Sequence, residues 1–392
     1  MNKRNKTGSR YRTQGSWLWS ILFTIPMALI LLVMLTGGSG MENSWPRLTA
    51  YFGVWALNVY LFFRMLFTGK TDRYRAVLFI LFALALSFTF IVRMIEARGS
   101  MSFNDADLLE CKTPFCHIVT TMILIPIAFS KAIIFPGSIN NGYASIASML
   151  VLVIGALLVL GRGFCSWGCF YGGWDDGFSR LRKKAVWKKP PSYLRWGGFA
   201  VLILVALTSA ATLVPTYCDW ICPFKLVTEF EAVTSVETVM KAAVFSGLFF
   251  GLVVALPIAT GKRTQCAWFC PMGALCSLSN PVNIHEVRID KESCIECGKC
   301  VKACPVQALD DEALEKGKSN INCVKCGKCI DVCSRNSIGY HLKFTGILKH
   351  PTTSRVLFLY AAFGFLAVFS GGSLQQAVEL LLNFATTGRV LS

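Results

Sequence analysis

The chain has 392 residues, 54% of them apolar and only 16% charged, with 39 Lys and Arg against 22 Asp and Glu for a formal net charge of +17. That apolar excess excludes an ordinary soluble domain. The basic residues sit in short loops beside apolar runs, a membrane-topology pattern that argues against nucleic acid as their partner.

Residues 1–99 read as N-terminal anchor helices. The runs Trp17–Leu35, Ala50–Leu66 and Ala76–Ile95 are each long enough to cross a bilayer. Basic residues precede the first run as in a signal peptide, but its length and the lack of a cleavage site make it a retained anchor. Arg64 and Arg93 are expected to snorkel, and Trp17, Trp19, Trp45 and Trp55 to form interfacial belts. Residues 100–283 read as a membrane redox core with spans at Ala144–Leu160, Gly197–Val214 and Met240–Ile258. They also hold an apolar stretch, Ile118–Phe135, broken by Pro126 and Lys131. Residues 284–345 read as a soluble insert. Residues 346–392 give a last span at Val356–Phe369 and an interfacial tail, Ser373–Thr387.

The basic loops Lys3–Arg12, Lys70–Arg75, Arg180–Arg195 and Lys262–Arg263 are assigned to the cytoplasm. Gly37–Trp45, Phe103–Glu110 and Asp219–Glu231 are assigned outside. These assignments agree if Ile118–Phe135 enters and leaves on the outer side. The expected fold is a polytopic α-helical membrane protein of about seven spans plus a re-entrant segment, carrying a small α+β two-cluster ferredoxin-like domain. The expected location is the bacterial inner membrane, with that domain in the cytoplasm.

The thiols follow this topology. CKTPFCH places Cys111, Cys116 and His117 outside, and GRGFCSWGCFYGG places Cys165 and Cys169 inside. CDWICPF puts Cys218 and Cys222 outside, and QCAWFCPMG returns Cys266 and Cys270 to the inner face. Three of these pairs are C-x3-C, a spacing that on a helix presents two thiols from one face to one metal centre. Pro223 and Pro271 suit the first turn of a following helix, whose free N–H groups favour a thiolate or an anionic cluster.

The insert carries Cys294, Cys297, Cys300, Cys304 and then Cys323, Cys326, Cys329, Cys333. Both runs read C-x2-C-x2-C-x3-C, the spacing of bacterial ferredoxins with two [4Fe–4S] clusters, in which the fourth cysteine of each run ligates the other cluster. Cys294, Cys297 and Cys300 are therefore paired with Cys333, and Cys323, Cys326 and Cys329 with Cys304. Zinc is the alternative for four-thiolate sites. The inner pairs Cys165/Cys169 and Cys266/Cys270 read as a third cluster, against inert core cysteines. The outer pairs Cys111/Cys116 and Cys218/Cys222 read as a fourth cluster, against disulfides in an oxidising compartment. Cys276, the odd cysteine of 17, reads as a small hydrophobe, His117 as an interfacial side chain, and Asp175 and Asp176 as surface ion pairs. No spacing marks a metal at His285, His341 or His350, and no haem c, nicotinamide or phosphate-loop motif is present.

GR-x-F-C-x3-C at Gly161–Cys169 and C-x3-C-P at Cys266–Pro271, followed by a two-cluster ferredoxin, resemble the membrane polyferredoxins of respiratory chains. These include the H subunit of the periplasmic nitrate reductase system and the C-terminal half of the membrane regulator of nitrous oxide reduction. The resemblance covers roughly Val151–Tyr340. It implies electron transfer between the quinone pool or a redox partner and a terminal reductase, with partner proteins of a respiratory or reductase complex. Phe170 and Ser334 depart from the family's proline after a cysteine, and Cys111/Cys116 and Cys218/Cys222 are additional to its simplest pattern. Two other readings stand beside the relay: a copper-reducing accessory protein, related membrane ferredoxins serving oxidase assembly, and an iron–sulfur redox sensor.

Overall fold

A computed structural model describes residues 15–36, 44–96, 118, 120–130, 138–139, 142–143, 146–182, 184–187, 190–228, 235–343 and 351–388. Cys111, Cys116, His117 and His350 lie outside the described residues. Among the described residues five helices are long and apolar enough to cross a membrane: Trp17–Leu35, Trp45–Thr68, Ser192–Thr212, Val236–Thr260 and Thr352–Thr387. The helices Thr71–Glu96 and Ile146–Val159 occupy the places of the two other expected spans. Within Ile118–Phe135 a helix, Thr120–Ser130, contains Pro126 and packs on the helix Gly197–Thr212.

The helices pair through one face each. In Trp45–Thr68 the buried positions Ala50, Val54, Asn58, Leu61 and Met65 recur every three or four residues. Two aromatics of the same helix fasten it to the first one: Tyr51 Oη donates to Leu32 O (2.8 Å) and Trp55 Nε1 to Ala28 O (3.0 Å). Ser235 and Thr238 form a capping box at the start of Val236–Leu248. Directly after Leu248 that helix widens into a seven-residue π-turn, Phe249–Ala255, before Pro257, which cannot donate to the preceding turn.

The C-terminal segment differs from expectation. In place of a short span and a separate tail, one helix of 37 residues runs from Pro351 to Thr387, through Gly371 and Gly372. At 1.5 Å per residue it is about 55 Å long, well beyond a hydrocarbon core of about 30 Å. It packs along Trp45–Thr68 and Thr71–Glu96, and that tertiary burial carries it past the glycines.

The insert is closed by two antiparallel strands, His285–Ile289 and Ile338–Leu342, in register from His285↔Leu342 to Ile289↔Ile338. Three short helices, Lys299–Ala303, Asp311–Lys316 and Lys328–Val332, lie between them. Its backbone repeats with an offset of 29 residues. Left-handed residues recur as Glu296 and Lys325, Gly298 and Gly327, and Gln307 and Asn336.

The insert is docked firmly on the membrane helices. The Asp331 carboxylate accepts from Thr71 N (2.8 Å) and Arg73 N (3.2 Å), capping the helix Thr71–Glu96. Lys262 Nζ donates to Cys304 O (2.7 Å), Trp167 Nε1 to Lys325 O (3.1 Å), and Arg195 pairs with Asp310 (2.6 Å). The Tyr340 ring stacks on Phe358 of the C-terminal helix at 4.1 Å. Three of the basic loops assigned to one side, those of Lys70–Arg75, Arg180–Arg195 and Lys262–Arg263, thus meet the insert.

Candidate iron–sulfur centres

Cys165, Cys169, Cys266 and Cys270 line one cavity, together with Ile118, Tyr171, Phe224, Gln265 and Met272. The expectation that each pair projects from one helix face is corrected here. Cys165 lies in the short helix Phe164–Trp167 and Cys266 in a π-turn, Gln265–Phe269. Cys169 and Cys270 have left those helices and cap the next ones, Phe170–Leu181 and Pro271–Ser279, in extended conformation. Cys222, Cys304 and Cys333 repeat this geometry, with ψ of 111°, 116° and 108°. A C-x3-C step in this chain is a turn of helix followed by an extended cysteine. This swings the second thiol around the centre and leaves the following N–H groups free to face it.

The two inner segments form a pseudo-twofold pair, written R-x2-C-x3-C-x2-G from Arg162 to Gly172 and from Arg263 to Gly273. The arginines cross: Arg162 Nη2 donates to Cys266 O (2.8 Å), and Arg263 Nη2 to Cys165 O (2.6 Å). A side chain at Gly172 would collide with Cys165 O and the Arg263 guanidinium, and one at Gly273 would press on Cys266 O. Arg263 also reaches Ser166 Oγ (2.6 Å) and Cys266 Sγ (3.3 Å). Both arginines are buried, and the Nε of each has no partner. Such spare donors beside four thiols fit an anionic iron–sulfur cluster.

Asp175 and Asp176, expected on the surface, are fully buried, because Phe170–Leu181 packs against Thr71–Glu96. Asp176 pairs with Arg75 (2.9 Å) and Arg180 (3.1 Å), while Asp175 accepts from Cys266 N (2.8 Å). Burial pushes the Asp175 carboxyl up to about 7, with Arg263 opposing. Cys276 is fully buried in the apolar core, as expected of a small hydrophobe, and lies beside Cys165. Its hydrogen bond with Cys165 is the first cause holding the Cys165 thiol down to about 7; burial opposes, and Arg162 and Arg263 assist.

In the insert, Cys304, Cys323, Cys326 and Cys329 line a second cavity, with Val287, Val306, Leu309 and Gly327. Cys294 and Cys333 lie close enough to Cys300 to help raise its thiol, after burial as the main cause. Matching backbone amides point at the two crossing cysteines: Ala308 N donates to Cys304 Sγ (3.1 Å) and Ser337 N to Cys333 Sγ (3.3 Å). Cys304, Cys326 and Cys329 are buried, whereas Cys297 is exposed.

Cys218 is half-buried in a π-turn, Tyr217–Ile221, and Cys222 is buried. The neighbouring Tyr217 is fully buried, and its hydroxyl accepts from Gln265 Nε2 (3.2 Å), beside Cys266. No disulfide joins any of the described cysteines. Among the described residues no three His, Cys, Asp or Glu side chains meet closely enough to hold a single metal ion. The thiols stand around their cavities, as the corners of a cube require.

Sequence reading missed Arg162 and Arg263 as parts of the site. The repeat R-x2-C-x3-C-x2-G was there to find the arginines; the segment of Cys218 and Cys222 has Pro215 and Lys225 at the equivalent places.

Comparisons with known proteins match four segments of the chain. A family model described as a 4Fe-4S dicluster domain matches residues 286–334. One described as a 4Fe-4S binding domain matches three times, over 141–189, 194–232 and 242–284. Each of those three segments holds one C-x3-C pair, and Cys111 and Cys116 lie outside them. The chain is similar to "Putative electron transport protein YccM" of Escherichia coli (strain K12), 26% identical over 241 residues, or 59% of this chain and 64% of that protein. It is also similar to the uncharacterized protein MJ0750 of Methanocaldococcus jannaschii, 26% identical over 209 residues, 50% of this chain and 79% of the relative. The uncharacterized protein MJ0749 of the same organism is 24% identical, over 51% of this chain and 72% of the relative. The match thus spans less than two thirds of the length of the Escherichia coli relative. No solved structure matches. The family-model matches support 4Fe–4S clusters as cofactors of the matched segments.

Proposed function

We propose that this chain is a membrane-bound one-electron relay between a cytoplasmic or quinone-pool donor and a redox partner on the outer side. The observation that carries the reading is the meeting of Cys165, Cys169, Cys266 and Cys270 at one cavity against the docked insert. A [4Fe–4S] cluster bound to four thiolates takes up and releases one electron at a time. Cys294, Cys297, Cys300 and Cys333 would hold the outermost cluster, Cys323, Cys326, Cys329 and Cys304 the next, and the four inner-face thiols a third. The chain's own residues exclude water, donate N–H groups to sulfur and fix the spacing. Exposed Cys297 gives a soluble partner its approach, while Cys304, Cys326 and Cys329 are buried.

Cys218 and Cys222, with Cys111 and Cys116, would hold a fourth cluster, and Tyr217 bridges that place to Gln265. On this reading the insert faces the cytoplasm across a bacterial inner membrane, and the partners belong to a respiratory or reductase complex. The test is anaerobic counting of iron and sulfide with electron paramagnetic resonance on the purified protein. Three clusters give about twelve irons per chain and four give about sixteen, while the insert alone gives about eight. Cys266→Ser should remove about four of them. A wild-type count of about eight would sink the membrane centre.

A further inference from the structure

We propose that Arg162 and Arg263 form a crossed guanidinium clamp that sets the potential of the membrane centre and couples it to the insert's buried centre. This deepens the relay reading and rests on it. The first ground is charge. Arginine stays protonated in proteins, and a buried cation needs an opposite charge. Neither Arg162 nor Arg263 forms an ion pair with a carboxylate among the described residues. The nearby carboxylates are otherwise engaged: Asp176 is shared by Arg75 and Arg180, and Asp175 faces the amide of Cys266. Among the described residues neither guanidinium makes a direct ion pair: both are held chiefly by carbonyls beside the four thiols, Asp175 and Asp176 act on Arg263 only without contact, and Arg263 touches one of the sulfurs. Arg162 and Arg263 would be the cations nearest to an anionic cluster held by these thiols and would favour its more negative, reduced state.

The second ground is connectivity. Arg162 Nη1 donates to Asn322 Oδ1, next to Cys323, while its Nη2 holds the carbonyl of Cys266. Arg263 N donates to Pro305 O (2.8 Å), next to Cys304, while its guanidinium holds Cys165 O and Cys266 Sγ. Each arginine therefore joins a ligand of the membrane centre to the neighbour of a ligand of the insert's buried centre. The membrane centre is the direct electron neighbour of Cys304, Cys323, Cys326 and Cys329, and the centre near exposed Cys297 lies one step further out.

The test uses the full chain, purified anaerobically with its iron. Arg162→Gln and Arg263→Gln keep a hydrogen-bond donor and remove the charge; Arg162→Lys and Arg263→Lys keep the charge. Removing a cation favours the oxidised cluster. Redox titration followed by electron paramagnetic resonance should therefore show the membrane centre about tenfold harder to reduce in each Gln variant, or 59 mV lower for one electron. The Lys variants should stay within about threefold of wild type, and both insert centres should hold their potentials. A Gln variant that keeps the membrane centre at its wild-type potential overturns the clamp. If a Gln variant loses that centre's iron, the Lys variant decides: retention near the wild-type potential supports the clamp, and equal loss shows a structural tie only. The order of centres is read separately. Cys323→Ser should abolish the magnetic broadening of the reduced membrane-centre signal and Cys294→Ser should leave it, the reverse overturning the order. A wild-type protein with only two centres fails the relay reading instead, and the clamp falls with it.

Discussion

Asn280→Ala should loosen the insert from the membrane helices without touching a cysteine. Asn280 is buried and bonds in four directions. Its Oδ1 accepts from Arg162 N (3.1 Å) and from Lys325 Nζ (2.7 Å). Its Nδ2 donates to Ile321 O (2.6 Å) and Cys323 O (3.0 Å). A neutral hydrogen bond is worth about 1 kcal/mol net and one to a charged group up to about 3. Lys325 keeps Leu160 O as a second acceptor (2.9 Å), and neighbouring bonds do not simply add. We therefore take the loss as about 3 kcal/mol, a factor of about a hundred in the local opening equilibrium. Hydrogen–deuterium exchange by mass spectrometry should show amides from Ile321 to Lys325 exchanging about a hundredfold faster, with the helix Trp45–Thr68 unchanged. A change of less than about threefold, or acceleration throughout the chain, would refute the role given to this side chain.

Further expectations concern ligands, sidedness and pH. Cys304→Ser should damage the centre of Cys323, Cys326 and Cys329, and Cys333→Ser the other; spectra in which each mutation perturbs its own motif's cluster would reject the crossing. An impermeant thiol reagent on single-cysteine variants should reach position 218 from outside and position 266 from inside alone, and labelling of both from one side would sink the topology. His285 is buried with Nδ1 against Val159 O (3.2 Å), and burial lowers its pKa from 6.5 to about 4. The folded protein then binds fewer protons than the unfolded chain between those values, so stability should fall as pH drops from 6.5 toward 4, by on the order of 3 kcal/mol. Melting curves of wild type and His285→Phe should diverge across that window, and parallel curves would dismiss the histidine.

The cysteine spacings carry most of what was legible in the sequence. Cys304 and Cys323, far apart along the chain, line one cavity because a fixed motif implies a fixed turn. Charge was legible only as a count. Arg75, Lys262 and Arg263 were read as loop charges marking one side of a membrane, and all three are buried, tied to carbonyls or carboxylates. Hydropathy cannot tell a solvated arginine from one clamped between segments about a hundred residues apart, because that depends on a tertiary partner. The same limit hid the burial of Asp175 and Asp176, whose helix was judged by composition and not by what packs on it. The C-terminal helix outran its apolar core for a related reason: Gly371 and Gly372 lower local propensity, but neighbouring helices outweigh it.

The crossed repeat has a consequence for how the protein is made. Half of the membrane cavity comes from Cys165 and Cys169 and half from Cys266 and Cys270, with the helices Ser192–Thr212 and Val236–Thr260 threaded between. Neither half offers more than two thiols, so the four-thiolate centre proposed there could not be completed while the ribosome is still upstream of residue 270. Both intervening helices must also have been inserted and must have returned the second half to the first. The insert's thiols emerge only afterwards, and its base rests on Arg162, Lys262 and Arg263. On the proposed reading, maturation of this chain would be gated by membrane integration, and a ribosome stalled before the second repeat would release a protein with no membrane centre to load.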